Sequence, residues 1–240
     1  MAMRKGFPSA AKAQREGRKT VARVRSSTRA GAIRWVLAGA VAAVTSTLVL
    51  LAIAKSHGGQ HGSQAPGHDI NNAPATVAVG SHTSPPWPAP ADASAAVNAA
   101  GLPMLSYEGN VEHIHAHLDV LIDGQPVAVP GGIGIDSRRG TISPLHTHDA
   151  SGVIHIESPV KRQFSLGEFF SEWQVSLSED SIGALRASDG KIVRIFVNGK
   201  QRQGNPGAIM LGAHDEIVVL YAAPQPGETI PSTYEFRGGL

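Results

Sequence analysis

The chain has 240 residues, 21 Lys and Arg, 19 Asp and Glu, 11 His and no Cys. Without Cys, disulfides, thiolate zinc sites, iron–sulfur clusters and a Cys nucleophile are excluded. The net charge of +2 hides a division: residues 1–34 hold ten basic side chains and one acid, Glu16, whereas residues 56–240 hold ten basic and eighteen acidic ones.

Residues 35–54, WVLAGAVAAVTSTLVLLAIA, carry no charge. A helix of this length covers the ~30 Å hydrocarbon core of a bilayer. Trp35 stands at the interface, and Lys55 closes the far end. The basic excess before the span places residues 1–34 in the cytoplasm and everything after Lys55 outside. Membrane topology thus explains the basic leader, and no nucleic-acid partner is expected. Ala52-Ile53-Ala54 also fits a signal-peptidase site, which would make the protein secreted. The apolar run is longer than the ~7–15 residues of a cleaved signal core, which favours an uncleaved anchor.

Residues 55–105 read as a disordered linker. Positions 56–105 hold 11 Ala, 7 Pro, 6 Gly and 5 Ser, with only Asp69 and Asp92 charged. Such a composition buries too little apolar surface to offset the entropy of ordering. His57, His61, His68 and His82 are scattered through it as spacer polarity.

Residues 106–240 form the expected extracytoplasmic domain. In residues 111–122, Ile114, Ala116, Leu118, Val120 and Ile122 alternate with His113, His115, His117 and Asp119. That period of two describes a strand with one apolar and one histidine face. Asp123-Gly124 offers a hairpin turn, with Val127 to Val129 as the return strand. His146 and His148 share the face of a further strand. After Ser151-Gly152, His155 and Glu157 alternate with Ile154 and Ile156. A two-residue loop would pair His148 with His155 and His146 with Glu157; a four-residue loop keeps the same parity.

Ser165 and Glu168 form a capping box, and Phe164 and Phe169 fit a hydrophobic staple, so a helix follows with Phe169, Phe170 and Trp173 as core residues. Residues 178–190 offer a second short helical turn. Asn198-Gly199 is a strong hairpin signal after a strand from Lys191. The last strand runs from Ile217 to Tyr221, preceded by His214 as a structural or surface residue. The Pro-rich tail is extended, with Tyr234 and Phe236 placed to pin it. The expected class is α+β: mostly antiparallel β with one capped helix, β-grasp-like in its C-terminal half, preceded by one transmembrane helix.

The chemistry lies in the histidines. His113, His115, His117, His146, His148, His155 and Glu157 are the candidate metal ligands. If the two hairpins pack face to face, they form one or two sites of nitrogen and oxygen ligands. Imidazole with carboxylate suits Zn, Cu(II), Ni or Fe(II), whereas Cu(I) prefers sulfur donors. Asp149 could accept a hydrogen bond from a ligating imidazole or cap its turn. Three functions remain open: a metal-binding protein, a metalloenzyme with Glu157 or Asp149 as acid/base, and a pH-sensitive interaction module without metal.

The ordered motifs HIHAHLDVLIDG, LHTHDASGVIHIES and FSLGEFFSEW resemble an uncharacterised group of bacterial and archaeal proteins. These are secreted or anchored by one N-terminal helix. The resemblance covers residues 111–221 and implies a shared histidine-rich extracytoplasmic domain, without implying an activity.

Overall fold

The computed structural model describes residues 68–238, which all belong to the compact unit Gly58–Leu240. The basic leader, the expected transmembrane helix over 35–54 and the start of the linker lie outside the described residues. Among the described residues no helix is long and apolar enough to cross a membrane.

In chain order the elements are α1 (Ala93–Ala99), β1 (Glu112–Ile122), β2 (Gln125–Val127), β3 (Ile135–Asp136), β4 (Thr141–Ile142), β5 (Leu145–His146), β6 (Val153–Ser158) and α2 (Leu166–Trp173). There follow β7 (Ser181–Ile182), β8 (Leu185–Arg186), β9 (Ile192–Val197), β10 (Lys200–Arg202), a 3₁₀ turn (Pro206–Ala208) and β11 (Glu216–Ala222). The class is α+β, as expected from the sequence, with two helices where one was expected.

The main sheet has seven strands in the order β10-β9-β11-β1-β6-β5, with β2 also beside β1. The long strand β1 organises it. Its first half pairs antiparallel with β6 and its second half with β2, while β11 runs parallel along the other edge from His117 to Ile122. All other pairings in this sheet are antiparallel. Both expected hairpin turns form. Val120 pairs with Val127 and Ile122 with Gln125 around Asp123-Gly124, and Val197 pairs with Lys200 around Asn198-Gly199. Asp123 and Asn198 take positive φ of 51° and 52°, the conformation that two-residue hairpins require.

Alternation divides the sheet into two faces. One face presents Ala116, Leu118, Val120, Ile154, Ile156, Ile217 and Val219, all buried in the main core. Helix α2 supplies Phe169, Phe170 and Trp173 to the same core, each 1% exposed or less. Burying one such aromatic ring stabilises by roughly 2–3 kcal/mol. The capping box at Ser165 and Glu168 is complete, and the helix ends at Gln174 in the left-handed region. The opposite face carries the histidines. Beyond them lies a small apolar patch of Phe196, Val218 and Leu220, partly covered by Ile230 of the tail.

Two expectations are corrected. Residues 68–105 are not a spacer in their described part. Trp87 is buried against Trp173, edge to face at 5.9 Å, and the Trp173 indole N–H donates to the Trp87 carbonyl. Asp92 caps α1, whose Ala93, Ala96 and Val97 are buried. Little apolar surface is available here, but Ala78, Trp87, Val97, Ala100 and Leu102 join the main core. Residues 178–190 form the β7–β8 hairpin instead of a helical turn.

Candidate metal centre

The histidines meet through the edges of neighbouring strands, not through two hairpins packed face to face. In the β1–β6 pair His115 lies opposite His155, and His113 opposite Glu157. In the β5–β6 pair His146 lies opposite His155. The register differs by two residues from that of a two-residue loop and matches that of a four-residue loop. Parity is preserved, so the histidines stay on one face. Gly152, at φ +87°, permits the tight return: a Cβ there would stand 2.6 Å from the Leu118 carbonyl oxygen and 2.9 Å from His117 Nε2.

Six of the seven candidate ligands converge. His115 Nε2 lies 3.1 Å from His155 Nδ1, and His146 Nε2 lies 3.1 Å from His148 Nε2. Glu157 Oε1 is 3.0 Å from His155 Nδ1, 3.5 Å from His113 Nε2 and 3.7 Å from His115 Nε2. His146, His148, His155 and Glu157 can offer ligand atoms all within 4.8 Å of one another, and so can His113, His115 and Glu157. Buried His/Glu groups of this kind can hold a metal ion.

The ring orientation of His146 is fixed from behind. Its Nδ1 lies 3.0 Å from the Ser143 carbonyl oxygen, which only accepts, so Nδ1 carries the proton and Nε2 presents a lone pair to the cluster. Beneath it, the Ser143 hydroxyl donates to Glu172 Oε1 at 2.5 Å. Glu172 is fully buried, its Oε2 has no partner, and burial raises its carboxyl well above the ordinary range.

Electrostatics prepares the ligands. Burial, reinforced by the neighbouring imidazoles His155 and His113, lowers His115 to about 4. Burial likewise lowers His146 to about 4. Both are therefore neutral at pH 7, the state in which imidazole ligates. Burial alone would raise Glu157, but the His155 hydrogen bond and the surrounding histidines prevail and bring it down to about 2. Neutral imidazoles around one carboxylate suit a divalent cation.

His117 does not join this cluster. Its Nε2 donates to the Ser151 carbonyl at 2.8 Å, and its Nδ1 lies 2.7 Å from Glu216 Oε2. The ring is stacked on Tyr234 at 3.7 Å. With both nitrogens engaged it has no lone pair to offer the other histidines. Burial opposes protonation of His117, but the hydrogen bond and charge of Glu216 outweigh it and raise the imidazole. Asp149 caps its own turn by accepting from Ser151 N at 2.9 Å. His214 donates its backbone N–H to the His115 carbonyl and packs against Phe236, so the tail is pinned by Tyr234 and Phe236 as expected.

Glu108 was missed at the sequence level. Its Oε1 lies 3.5 Å from His148 Nε2 and 4.0 Å from His146 Nε2. Gly109 delivers it: a Cβ at that position would stand 2.0 Å from the Ser158 carbonyl carbon, so only glycine lets this loop lie against the end of β6. The glycine beside an acid was the available signal, but nothing local ties it to His148. Comparison with protein families, curated proteins and solved structures finds no match to this chain.

Proposed function

We propose that this protein is a membrane-anchored extracytoplasmic metal-binding protein, its ion held by His146, His148, His155 and Glu157. The observation that carries the reading is the convergence of these four ligand atoms within 4.8 Å around an imidazole whose free lone pair is set by Ser143. Three imidazoles and a carboxylate fit Zn, Cu(II), Ni or Fe(II). The uncharged run at 35–54 and the basic leader before it support the anchor and its orientation. The resemblance of the three motifs to secreted or anchored proteins supports the same placement. A β-grasp-like arrangement is supported by the order β2-β1-β11-β9-β10, with β1 and β11 parallel.

The test is elemental analysis of the full chain purified in detergent, with melting measured before and after chelation. Stoichiometric metal and a melting temperature that falls on chelation are expected, because an ion bound only to the fold stabilises it. Absence of metal together with unchanged melting overturns the reading.

A further inference from the structure

We propose that the cluster holds two divalent ions that share Glu157, the second bound by His113 and His115. This rests on the metal-binding reading above and extends it.

Strand order carries the argument. β6 lies between β1 and β5 in the sheet. His155 and Glu157 therefore form a central row, with His113 and His115 on one side and His146 and His148 on the other. Neighbouring strands are about 4.8 Å apart, so the backbones of β1 and β5 are separated by about twice that. The ligand atoms that approach one another divide in the same way, into His146, His148, His155 and Glu157 on one side and His113, His115 and Glu157 on the other. Each outer pair faces an ion on its own side of β6.

The ligand supply agrees. Five imidazoles and Glu157 exceed the four ligands of a tetrahedral ion. His113, His115 and Glu157 form a complete set on their own, with ligand atoms within 4.8 Å. Glu157 belongs to both sets, and a shared carboxylate fits ions ~3.5–4 Å apart, the usual spacing of two-metal sites. Each half also has its own opening to solvent, since the His113 and His148 side chains are 54% and 46% exposed.

The exposed residues supply the test, because replacing them leaves the core intact. The metal-free full chain is loaded with Zn²⁺, dialysed and analysed for metal. His113→Ala and His148→Ala are each expected to lose one equivalent relative to wild type, and the double variant to lose two. Loading with Cu²⁺ should give an electron paramagnetic resonance signal that weakens and broadens as the second equivalent binds. Metal content unchanged by His113→Ala overturns the second ion while leaving the first intact. Two independent, additive Cu²⁺ signals overturn the sharing of Glu157. No bound metal in any form overturns both this proposal and the function on which it rests.

Discussion

The Ser143 hydroxyl donates to Glu172 Oε1 at 2.5 Å, while the Ser143 carbonyl holds His146 Nδ1 at 3.0 Å. One residue thus links a fully buried carboxyl on α2 to a candidate ligand of the histidine cluster. Burial raises Glu172 well above the ordinary carboxyl range, which favours its neutral form, and glutamine is the isostere of that form. Glu172→Gln is expected to change stability by less than about 1 kcal/mol, whereas Glu172→Ala should cost about 2–4 kcal/mol through a cavity and an orphaned Ser143 hydroxyl. Metal affinity should follow the same order. A Gln variant as damaged as the Ala variant would show that the carboxyl is ionised.

His117 stands apart from the candidate metal ligands. Both its nitrogens are bonded, to Ser151 and to Glu216, and it joins β1 to the parallel strand β11. Without it Glu216 Oε2 loses its partner in a buried place, and leaving such a group unsatisfied typically costs about 1–3 kcal/mol. His117→Ala is therefore expected to lower the unfolding free energy by that order without changing the metal bound per folded molecule. Loss of metal from a still-folded His117→Ala protein would return this residue to the ligand set.

Acid should weaken the metal-free histidine cluster over a defined range. Unfolded, His115 and His146 titrate near 6.5; in the fold burial holds both at about 4. As pH falls below 6.5 the unfolded chain binds protons that these two sites refuse in the fold, so their contribution to stability declines until about pH 4. Glu157, brought down from 4.5 to about 2, contributes stability above pH 4.5 that is lost toward pH 2. The three effects share a sign. His117, raised from 6.5, contributes below pH 6.5 and loses its contribution only at higher pH, so it does not mask the acid limb. The raised carboxyls of Glu172 and Glu216 act in the opposite direction, because the fold keeps their protons at pH values where the unfolded chain has released them. The histidine effect is therefore read as a difference: between pH 7 and pH 4.5, urea unfolding should lose more stability, by about 1–3 kcal/mol, in wild type than in His146→Asn. Parallel profiles would contradict a neutral buried His146.

Where the signal is local, the sequence reads correctly. The alternation of β1 and β6 places the histidines on one face, and Ser165 with Glu168 marks the start of α2, because both patterns need only neighbours two or three residues away. Tertiary contacts decide the rest. Trp87 looked like part of a Pro-rich spacer, yet Trp173, 86 residues on, buries it. His117 shares the alternation of His113 and His115, but Glu216, 99 residues distant, claims it. Glu108 lies in a loop with no period and reaches His148 only because Gly109 fits against Ser158.

Helix α2 offers paired substitutions of opposite sign. At its start the Ser165 hydroxyl accepts from Glu168 N at 3.0 Å and donates to the Ala75 carbonyl, so it satisfies a helix donor and ties residues 68–105 to the core. Ser165→Ala removes both bonds in a fully buried place and is expected to cost about 1–2 kcal/mol. At its end Gln174 sits at φ 59°, a conformation that burdens a residue with a Cβ by about 1 kcal/mol and suits glycine at a helix terminus. Its backbone carbonyl, which accepts from Ser81 N at 2.9 Å, is retained on substitution. Gln174→Gly is therefore expected to stabilise by roughly 0.5–1 kcal/mol, partly offset by the freer unfolded chain. Chemical denaturation of the two variants beside wild type should bracket it, with the alanine midpoint below and the glycine midpoint above. A glycine midpoint below wild type would mean that the Gln174 side chain contributes more than its backbone strain costs.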